Sequence, residues 1–254
     1  MNPDLELAER AARAAGEVLM SYYGRPAEGL GSKSSATDLV SDADREAERV
    51  VRELLEAERP GDGLIAEEGS HAVAESGRRW VVDPLDGTIN FLYGFPAWAV
   101  SIALEDGDGV QVGVVYDPVR PELFSAVRAG GATLNRESIQ VTGRTELSRA
   151  MVATGFSYEA ERRAGQAELL LRVLPRVRDI RRPGAAALDL CLVAAGRVDA
   201  FYERGLNRWD EAAGRLIVEE AGGVVKDLDG EPAGVVAAGS PELLADLYAL
   251  VGAP

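Results

Sequence analysis

The residues able to do chemistry gather in three short segments. Trp80-Val-Val-Asp83-Pro84-Leu85-Asp86-Gly87-Thr88-Ile89-Asn90-Phe91 sets two carboxylates three positions apart, Ala66-Glu67-Glu68-Gly69 lies upstream, and Arg208-Trp209-Asp210-Glu211 lies downstream. Pro84 forces the residue before it, Asp83, into an extended conformation, and Asp86-Gly87-Thr88 has the composition of a turn feeding a helix N-terminus. Around such a turn Asp83 and Asp86 can converge on one point. Converging carboxylates repel unless a cation sits between them, and an all-oxygen donor set selects a hard ion such as Mg²⁺. The Gly87 and Thr88 amides, at the start of that helix, would favour an anion such as phosphate. Asp-Pro-x-Asp-Gly is also ordinary turn chemistry, Glu67-Glu68 can be a solvated loop and Asp210 a helix cap. The three segments together are what point to metal and phosphate.

Those segments need elements to hold them. Leu5, Ala8, Ala12, Ala15 and Leu19 recur at helical spacing between Asp4 and Tyr23, and a second helix starts near Ser41, where Ser41 and Asp44 stand at capping-box spacing, and ends before Pro60-Gly61. Apolar runs at Leu64 to Ala66, Trp80 to Val82, Trp98 to Leu104, Val110 to Tyr116 and Leu123 to Val127 predict strands. From Ala150 strands and helices alternate: strands at Met151 to Thr154, Val177 to Ile180, Val198 to Tyr202, Val224 to Asp227 and Val235 to Ala238, with helices at Glu159 to Leu174, Ala185 to Ala195, Trp209 to Ala221 and Pro241 to Leu250. An α+β half over 1–149 and an α/β half over 150–254, joined without a low-complexity linker, predict one domain over 1–254 in the α/β class, built of layered sheets and helices.

Composition narrows the partners. Across 254 residues, 27 Lys+Arg against 42 Asp+Glu give a net charge of −15, and 46% of residues are hydrophobic. That apolar content suits a folded chain near the upper size of a single core, roughly 250 residues. An acidic chain is a poor tracker of nucleic-acid phosphates. No apolar run approaches the ~18 residues of a membrane span, and the Met-Asn-Pro-Asp-Leu-Glu start lacks the basic-then-apolar order of a signal peptide, so the expectation is a cytoplasmic protein with neither nucleic acid nor membrane as partner. Cys191, flanked by Leu190, Leu192 and Val193, reads as a buried thiol, and the single histidine, His71, lies in a polar stretch.

In these motifs the chain resembles the inositol monophosphatase family of Mg²⁺-dependent, lithium-sensitive phosphatases. Asp83-Pro-Leu-Asp-Gly-Thr-Ile-Asn-Phe-Leu-Tyr93 is similar to the family's first signature, and Trp209-Asp-Glu-Ala-Ala-Gly-Arg-Leu-Ile-Val-Glu-Glu-Ala-Gly-Gly223 to its second. Gly31-Ser-Lys33 to Asp44, Gly113-Val-Val-Tyr116, Ala186-Leu-Asp-Leu-Cys191 and Tyr202-Glu203 follow in the family order, so the likeness spans nearly the whole chain.

The resemblance implies the family's alternating helix and sheet layers, a sandwich, and a ligand set. Glu67, Asp83 and the Leu85 carbonyl would hold a first Mg²⁺, and Asp83, Asp86 and Asp210 a second, with a third, weaker ion near Glu67 and Mn²⁺ as an alternative metal. Glu67, Thr88 and Asp44 would be the catalytic residues, water being activated on the first metal and aligned by Thr88, whose hydroxyl pairs with Asp44. Gly87, Thr88, Gly184, Ala185, Glu203 and Asp210 would contact substrate, and Lys33 would lie close by. Ala185 stands where the family often has Ser or Thr, and Pro183 is unusual there. The implied reaction is hydrolysis of a small phosphate monoester, inositol 1-phosphate first, by a homodimer; histidinol phosphate, fructose 1,6-bisphosphate and 3′-phosphoadenosine phosphate are the alternatives. A non-catalytic, metal-loaded regulatory protein is the rival from another class, and the retention of Glu67, Asp83, Asp86, Thr88 and Asp210 speaks against it.

Overall fold

The computed structural model describes residues 2–24, 31–32, 39–40 and 42–252; Lys33 and Ser41 fall outside them. Helix α1 (Pro3–Tyr22) opens on Asn2, whose side-chain oxygen accepts from the Asp4 N–H at 2.9 Å, with Pro3 at the first helical position. After the paired two-residue strands β1 (Gly31–Ser32) and β2 (Leu39–Val40) comes α2 (Asp42–Glu58). The five expected first-half strands, β3 (Gly63–Ala66), β5 (Arg79–Asp86), β6 (Ala99–Asp106), β7 (Gly109–Asp117) and β8 (Glu122–Val127), then form one mixed sheet with three short strands that were not expected, β4 (His71–Ala72), β9 (Gly131–Leu134) and β10 (Glu137–Ser138), and the single-turn helix α3 (Thr88–Leu92) lies between β5 and β6. The order across the sheet is β10-β9-β8-β7-β6-β5-β3-β4, parallel only between β3 and β5.

The second half follows the alternation predicted for it. It runs β11 (Met151–Thr154), α4 (Ala160–Val173), β12 (Asp179–Arg181), α5 (Ala186–Ala194), β13 (Ala200–Arg204), α6 (Arg208–Glu220), β14 (Val224–Leu228), β15 (Gly234–Ala238) and α7 (Pro241–Val251). The strand expected at Val177 to Ile180 lies two residues later, because Val177 is buried under the smaller sheet and only Asp179 to Arg181 pair in parallel with Met151 to Ala153. The smaller sheet runs β12-β11-β13-β15-β14.

Period-two alternation assigns the layers. On β5, β6 and β7 one set of side chains (Trp80, Val82, Val100, Ile102, Val112, Val114) packs against α1 and α2. The opposite set, with Val81, Ala99, Ala103 and Val115, packs against α5 and α6. Phe201 and Ala237 of the smaller sheet face that same helix layer, whereas Ala200, Tyr202, Val236 and Ala238 turn to the other side and pack against α7. Helix pairs and sheets therefore alternate. The small residues of the middle layer (Ala186, Ala187, Ala212, Ala213) let α5 and α6 pack between the two sheets, and Cys191 is buried among them. Among the described residues no helix is long and apolar enough to cross a membrane.

Candidate active site

Strand β5 carries the first signature to the edge of the middle layer. Its pairing with β6 is regular from Arg79 to Asp83 and becomes irregular before Asp86, at the segment that contains Pro84, which has no N–H for the ladder. Asp83 is buried there, and its Oδ1 accepts from the Leu85 N–H at 2.9 Å. Gly87 then turns the chain with φ +90°, and an added Cβ would stand 2.9 Å from the Ala97 carbonyl oxygen, so only glycine fits. Helix α3, expected here as an anion-favouring N-terminus, is five residues long and supplies only one turn of dipole.

Aromatic packing holds α3 in place. Phe91 meets Trp98 edge-on with ring centroids 5.1 Å apart, and both lie against Tyr23 from the end of α1, whose hydroxyl donates to the Gly94 carbonyl at 2.9 Å. Asn90, to which the sequence reading assigned no role, donates through Nδ2 to the Ala97 carbonyl at 2.6 Å and to the Pro183 carbonyl at 2.8 Å. It thereby ties α3 to the Pro183-Gly184 turn that leads into α5.

Asp86 and Asp210 have structural partners as well as a place in the site. Asp86 accepts from the Ala187 N–H at 2.8 Å and the Ala186 N–H at 3.2 Å, at the start of α5. The α5 N-cap position is Ala185, which has no side-chain acceptor, so a carboxylate a hundred residues away in sequence satisfies the amides a Ser or Thr could have capped. Asp210 occupies the third position of α6 and accepts from the Asn207 N–H at 2.6 Å. The N-cap role considered for it falls to Asn207, and Asp210 closes the capping box from the third position.

A cavity of about 930 Å³ collects these groups. It is lined by Glu67, Asp83, Leu85, Asp86, Gly87, Thr88, Gly184, Glu203 and Asp210 among others. Of the expected substrate contacts, Ala185 is buried just behind it. Asp44, fully buried in the first turn of α2, also stands outside the lining but close enough for its charge to act on Asp83. The Thr88 hydroxyl, expected to face Asp44, donates to the Leu85 carbonyl at 3.1 Å.

Electrostatics show what the cavity lacks. Burial, then Glu67, Asp86, Asp210 and Asp44, push the Asp83 carboxyl well above its ordinary range. Burial likewise raises Asp210, with Asp86 adding to it, and lifts Asp86 to about 7 against the pull of the α5 amides. Glu203 is pushed to about 8 by burial and then by Asp86, while Arg182 draws it down. As they stand, no three His, Cys, Asp or Glu side chains among the described residues close on a single point as metal ligands do. The donor set nonetheless fits a hard divalent cation: all oxygen, buried, facing one cavity and penalised by uncompensated negative charge.

Glu203 is expected here from the resemblance, whereas Phe156, Tyr158, Arg182 and the α4 residues Arg162, Gln166 and Leu169 carry no sequence signal that could have singled them out. Glu203 is seated against Gly155, where a Cβ would come within 2.1 Å of either carboxylate oxygen. Arg182 lies with its guanidinium 5.8 Å from the Phe156 ring centroid, and Phe156, Tyr158 and the α4 residues Arg162, Gln166 and Leu169 form the outer wall.

Comparison with known proteins agrees with this architecture. The model of the inositol monophosphatase family matches residues 1–252. The chain is 43% identical to a protein named Nus factor SuhB of Pasteurella multocida, over 91% of this chain and 87% of the relative. It is 44% identical to an inositol-1-monophosphatase of Mycobacterium bovis, over 87% of this chain and 83% of the relative. The crystal structure of the extragenic suppressor protein suhB of Bartonella henselae superposes with a TM-score of 0.91 at 39% identity, covering 97% of each chain. With both signatures converging on one carboxylate-lined cavity between the layers, the chain belongs to the inositol monophosphatase family.

Proposed function

We propose that the protein hydrolyses a small phosphate monoester with the help of divalent cations, Mg²⁺ first and Mn²⁺ as an alternative, with inositol 1-phosphate as the leading substrate. The observation that carries this reading is the arrival of Glu67 from the β3–β4 turn, Asp83, Asp86 and the Leu85 carbonyl from β5, and Asp210 from α6 at one cavity. Glu67, Asp83 and Leu85 would hold one cation, and Asp83, Asp86 and Asp210 another. Bound there, the cations would neutralise the ester dianion, lower the pKa of water and stabilise the leaving alkoxide.

The chain's own residues then bind, orient and move protons. The Gly87 and Thr88 amides would receive the phosphate, and the Thr88 hydroxyl, turned from the Leu85 carbonyl toward the buried Asp44, would orient the attacking water and pass its proton to that carboxylate. No nucleophilic side chain is required. Cys191 is buried, with its thiol pushed well up by that burial, and the exposed His71 is not among the cavity-lining residues. Glu203 and Asp210 receive the alcohol's hydroxyl groups, with Gly184 and Ala185 shaping the floor. The Nus factor name carried by some relatives describes those proteins; the complete carboxylate set supports the hydrolytic reading here. A cytoplasmic homodimer with a small phosphorylated substrate, and with neither nucleic acid nor membrane as partner, completes the proposal, supported by the resemblance and by the charge of −15.

The test is a panel of inositol 1-phosphate, histidinol phosphate, fructose 1,6-bisphosphate and 3′-phosphoadenosine phosphate ranked by kcat/KM, with Asp210→Asn beside the wild type. Inositol 1-phosphate should rank first and Asp210→Asn should lose most activity on every ester. A different leading ester replaces the substrate assignment, and no release from any monoester overturns the hydrolytic reading. Lithium inhibition and a dimer by light scattering are the accompanying expectations.

A further inference from the structure

We propose that Glu48 is a positioning residue for Glu67, and that it sets through Glu67 the affinity of the carboxylate cavity for its divalent cation; this rests on the metal-dependent reading above. Helix α2 presents Asp44 and Glu48 one turn apart on its buried face, Glu48 being only 5% exposed. Its glutamates further along the helix differ: Glu53 and Glu56 are solvent-facing and pair with Arg49 and Arg52 at i,i+4 spacing. Glu48 instead reaches across to the turn that joins β3 to β4. Its Oε2 accepts from the Glu68 N–H at 2.6 Å and its Oε1 from the Ser70 N–H at 3.0 Å, so both oxygens grip the turn on either side of Gly69. Charge-assisted bonds of this kind are the strong ones.

Glu67 is the residue this grip serves. Its own N–H donates to the Val82 carbonyl at 3.2 Å, which pins it beside Asp83 on the β5 side. The other side of the turn is closed by the Ala66 N–H to the Ser70 carbonyl at 3.1 Å and the Gly69 N–H to the Ala66 carbonyl at 3.3 Å. The flanking strands are short, four residues in β3 and two in β4. Glu67 is repelled by Asp83 and Asp86, and the turn residues Glu67 and Glu68 are only half-buried, so the route of relief is outward, toward solvent. Glu48 closes that route by tethering the turn to α2. Removing it leaves two amides that water can reach, so the layers stay folded while the Glu67 carboxylate loses its fixed position. Loss of a group that supports a metal ligand typically weakens metal binding about 10–100-fold.

The experiment titrates Mn²⁺ alone into metal-stripped full-length protein and reads free Mn²⁺ by electron paramagnetic resonance, for wild type, Glu48→Gln, Glu48→Asp and the solvent-face control Glu53→Gln. Glu48→Gln keeps the length and loses the charge, whereas Glu48→Asp keeps the charge and falls a methylene short. Positioning predicts that both weaken Mn²⁺ binding by about tenfold or more, that Glu53→Gln does not, and that kcat at saturating Mg²⁺ returns to within about twofold of wild type. Wild-type affinity in Glu48→Asp together with weakened Glu48→Gln would mean that only charge acts and overturns the proposal, as would unchanged affinity in both. If Glu48→Gln does not fold, Glu48→Asp decides alone. A wild type that binds no Mn²⁺ refutes the metal-dependent reading itself, an outcome distinct from any difference among the variants.

Discussion

Replacing Asp86 by Asn should make the cation-free protein more stable at pH 8 and less responsive to Mg²⁺. Burial, helped by Glu67, lifts the Asp86 carboxyl from an ordinary 3.8 to about 7 although the Ala187 and Ala186 amides pull it down. The difference, 7 − 3.8, is about three pKa units, and at ~1.36 kcal/mol per unit it amounts to about 4 kcal/mol. The sign follows from proton counting. Between these two values the folded chain holds a proton that the unfolded chain has released, so stability falls as pH rises from about 4 to about 7 and stays low above. Asn carries no charge to be stripped of water. Its carbonyl oxygen keeps one of the two α5 amides and leaves the other facing an NH₂ group, a cost of about 1 kcal/mol. The net gain at pH 8 is therefore about 3 kcal/mol, or roughly 6–12 °C in Tm for a chain of this size. Mg²⁺ at a hundredfold the Kd of the site that Asp86 completes should restore about 2.7 kcal/mol there to the wild type, a gain the variant loses while keeping whatever the Glu67, Asp83 and Leu85 site supplies. Urea unfolding in EDTA at pH 4 and pH 8, then at pH 8 with Mg²⁺, measures all three. Parallel wild-type and Asp86→Asn stabilities at the two pH values would refute the view that an uncompensated buried charge sits at this position.

Other perturbations read neighbouring parts of the site. Gly155→Ala places a methyl group within 2.1 Å of the Glu203 carboxylate oxygens, so Glu203 must leave its seat; overpacking of this kind costs about 1–3 kcal/mol, and KM should rise more than kcat falls, as steady-state kinetics and a thermal melt would show. Glu105 titrates in the opposite sense to Asp86: burial would raise it, but the bonds from Arg79 and Arg208 prevail and hold it below its ordinary 4.5. Its stabilisation is present above pH 4.5 and lost as pH falls through the lowered value, so Glu105→Gln should cost about 1 kcal/mol at neutral pH and less in acid, as urea titrations at pH 3 and pH 7 would measure. Asn90→Ala frees the Pro183-Gly184 turn from α3 and should raise KM for every ester in the panel while leaving Mn²⁺ affinity unchanged.

Much of this architecture was legible in the sequence where local pattern and tertiary demand agree. Strands β5, β6, β7, β13 and β15 are buried on both faces and so read as continuous apolar runs, and α1 shows its buried stripe every third or fourth residue. Asp83 and Asp86 were legible because Pro84 and Gly87 dictate their backbone. What escaped depends on contacts distant in sequence. Glu48 is one of several glutamates in an acidic amphipathic helix, and only the β3–β4 turn distinguishes it. Asp86 caps α5 across a hundred residues, which no capping pattern near Ala185 announces. The β9–β10 hairpin is short and largely exposed, so no apolar alternation marks it. The shift from Val177 to Asp179 at the start of β12 came from parallel pairing with β11, which takes a segment with little apolar character.

The central claim is that Asp83, Asp86, Asp210 and Glu67 are held together, despite their repulsion, to bind cations that act on a phosphate ester. Its most direct test is phosphate release from inositol 1-phosphate as Mg²⁺ is titrated into metal-stripped protein, for wild type and Asp83→Asn. Release should be absent without the ion, saturate with Mg²⁺ in the wild type, and stay at background in Asp83→Asn at every concentration. Release that proceeds in EDTA, or an Asp83→Asn enzyme that turns over like the wild type, would contradict it.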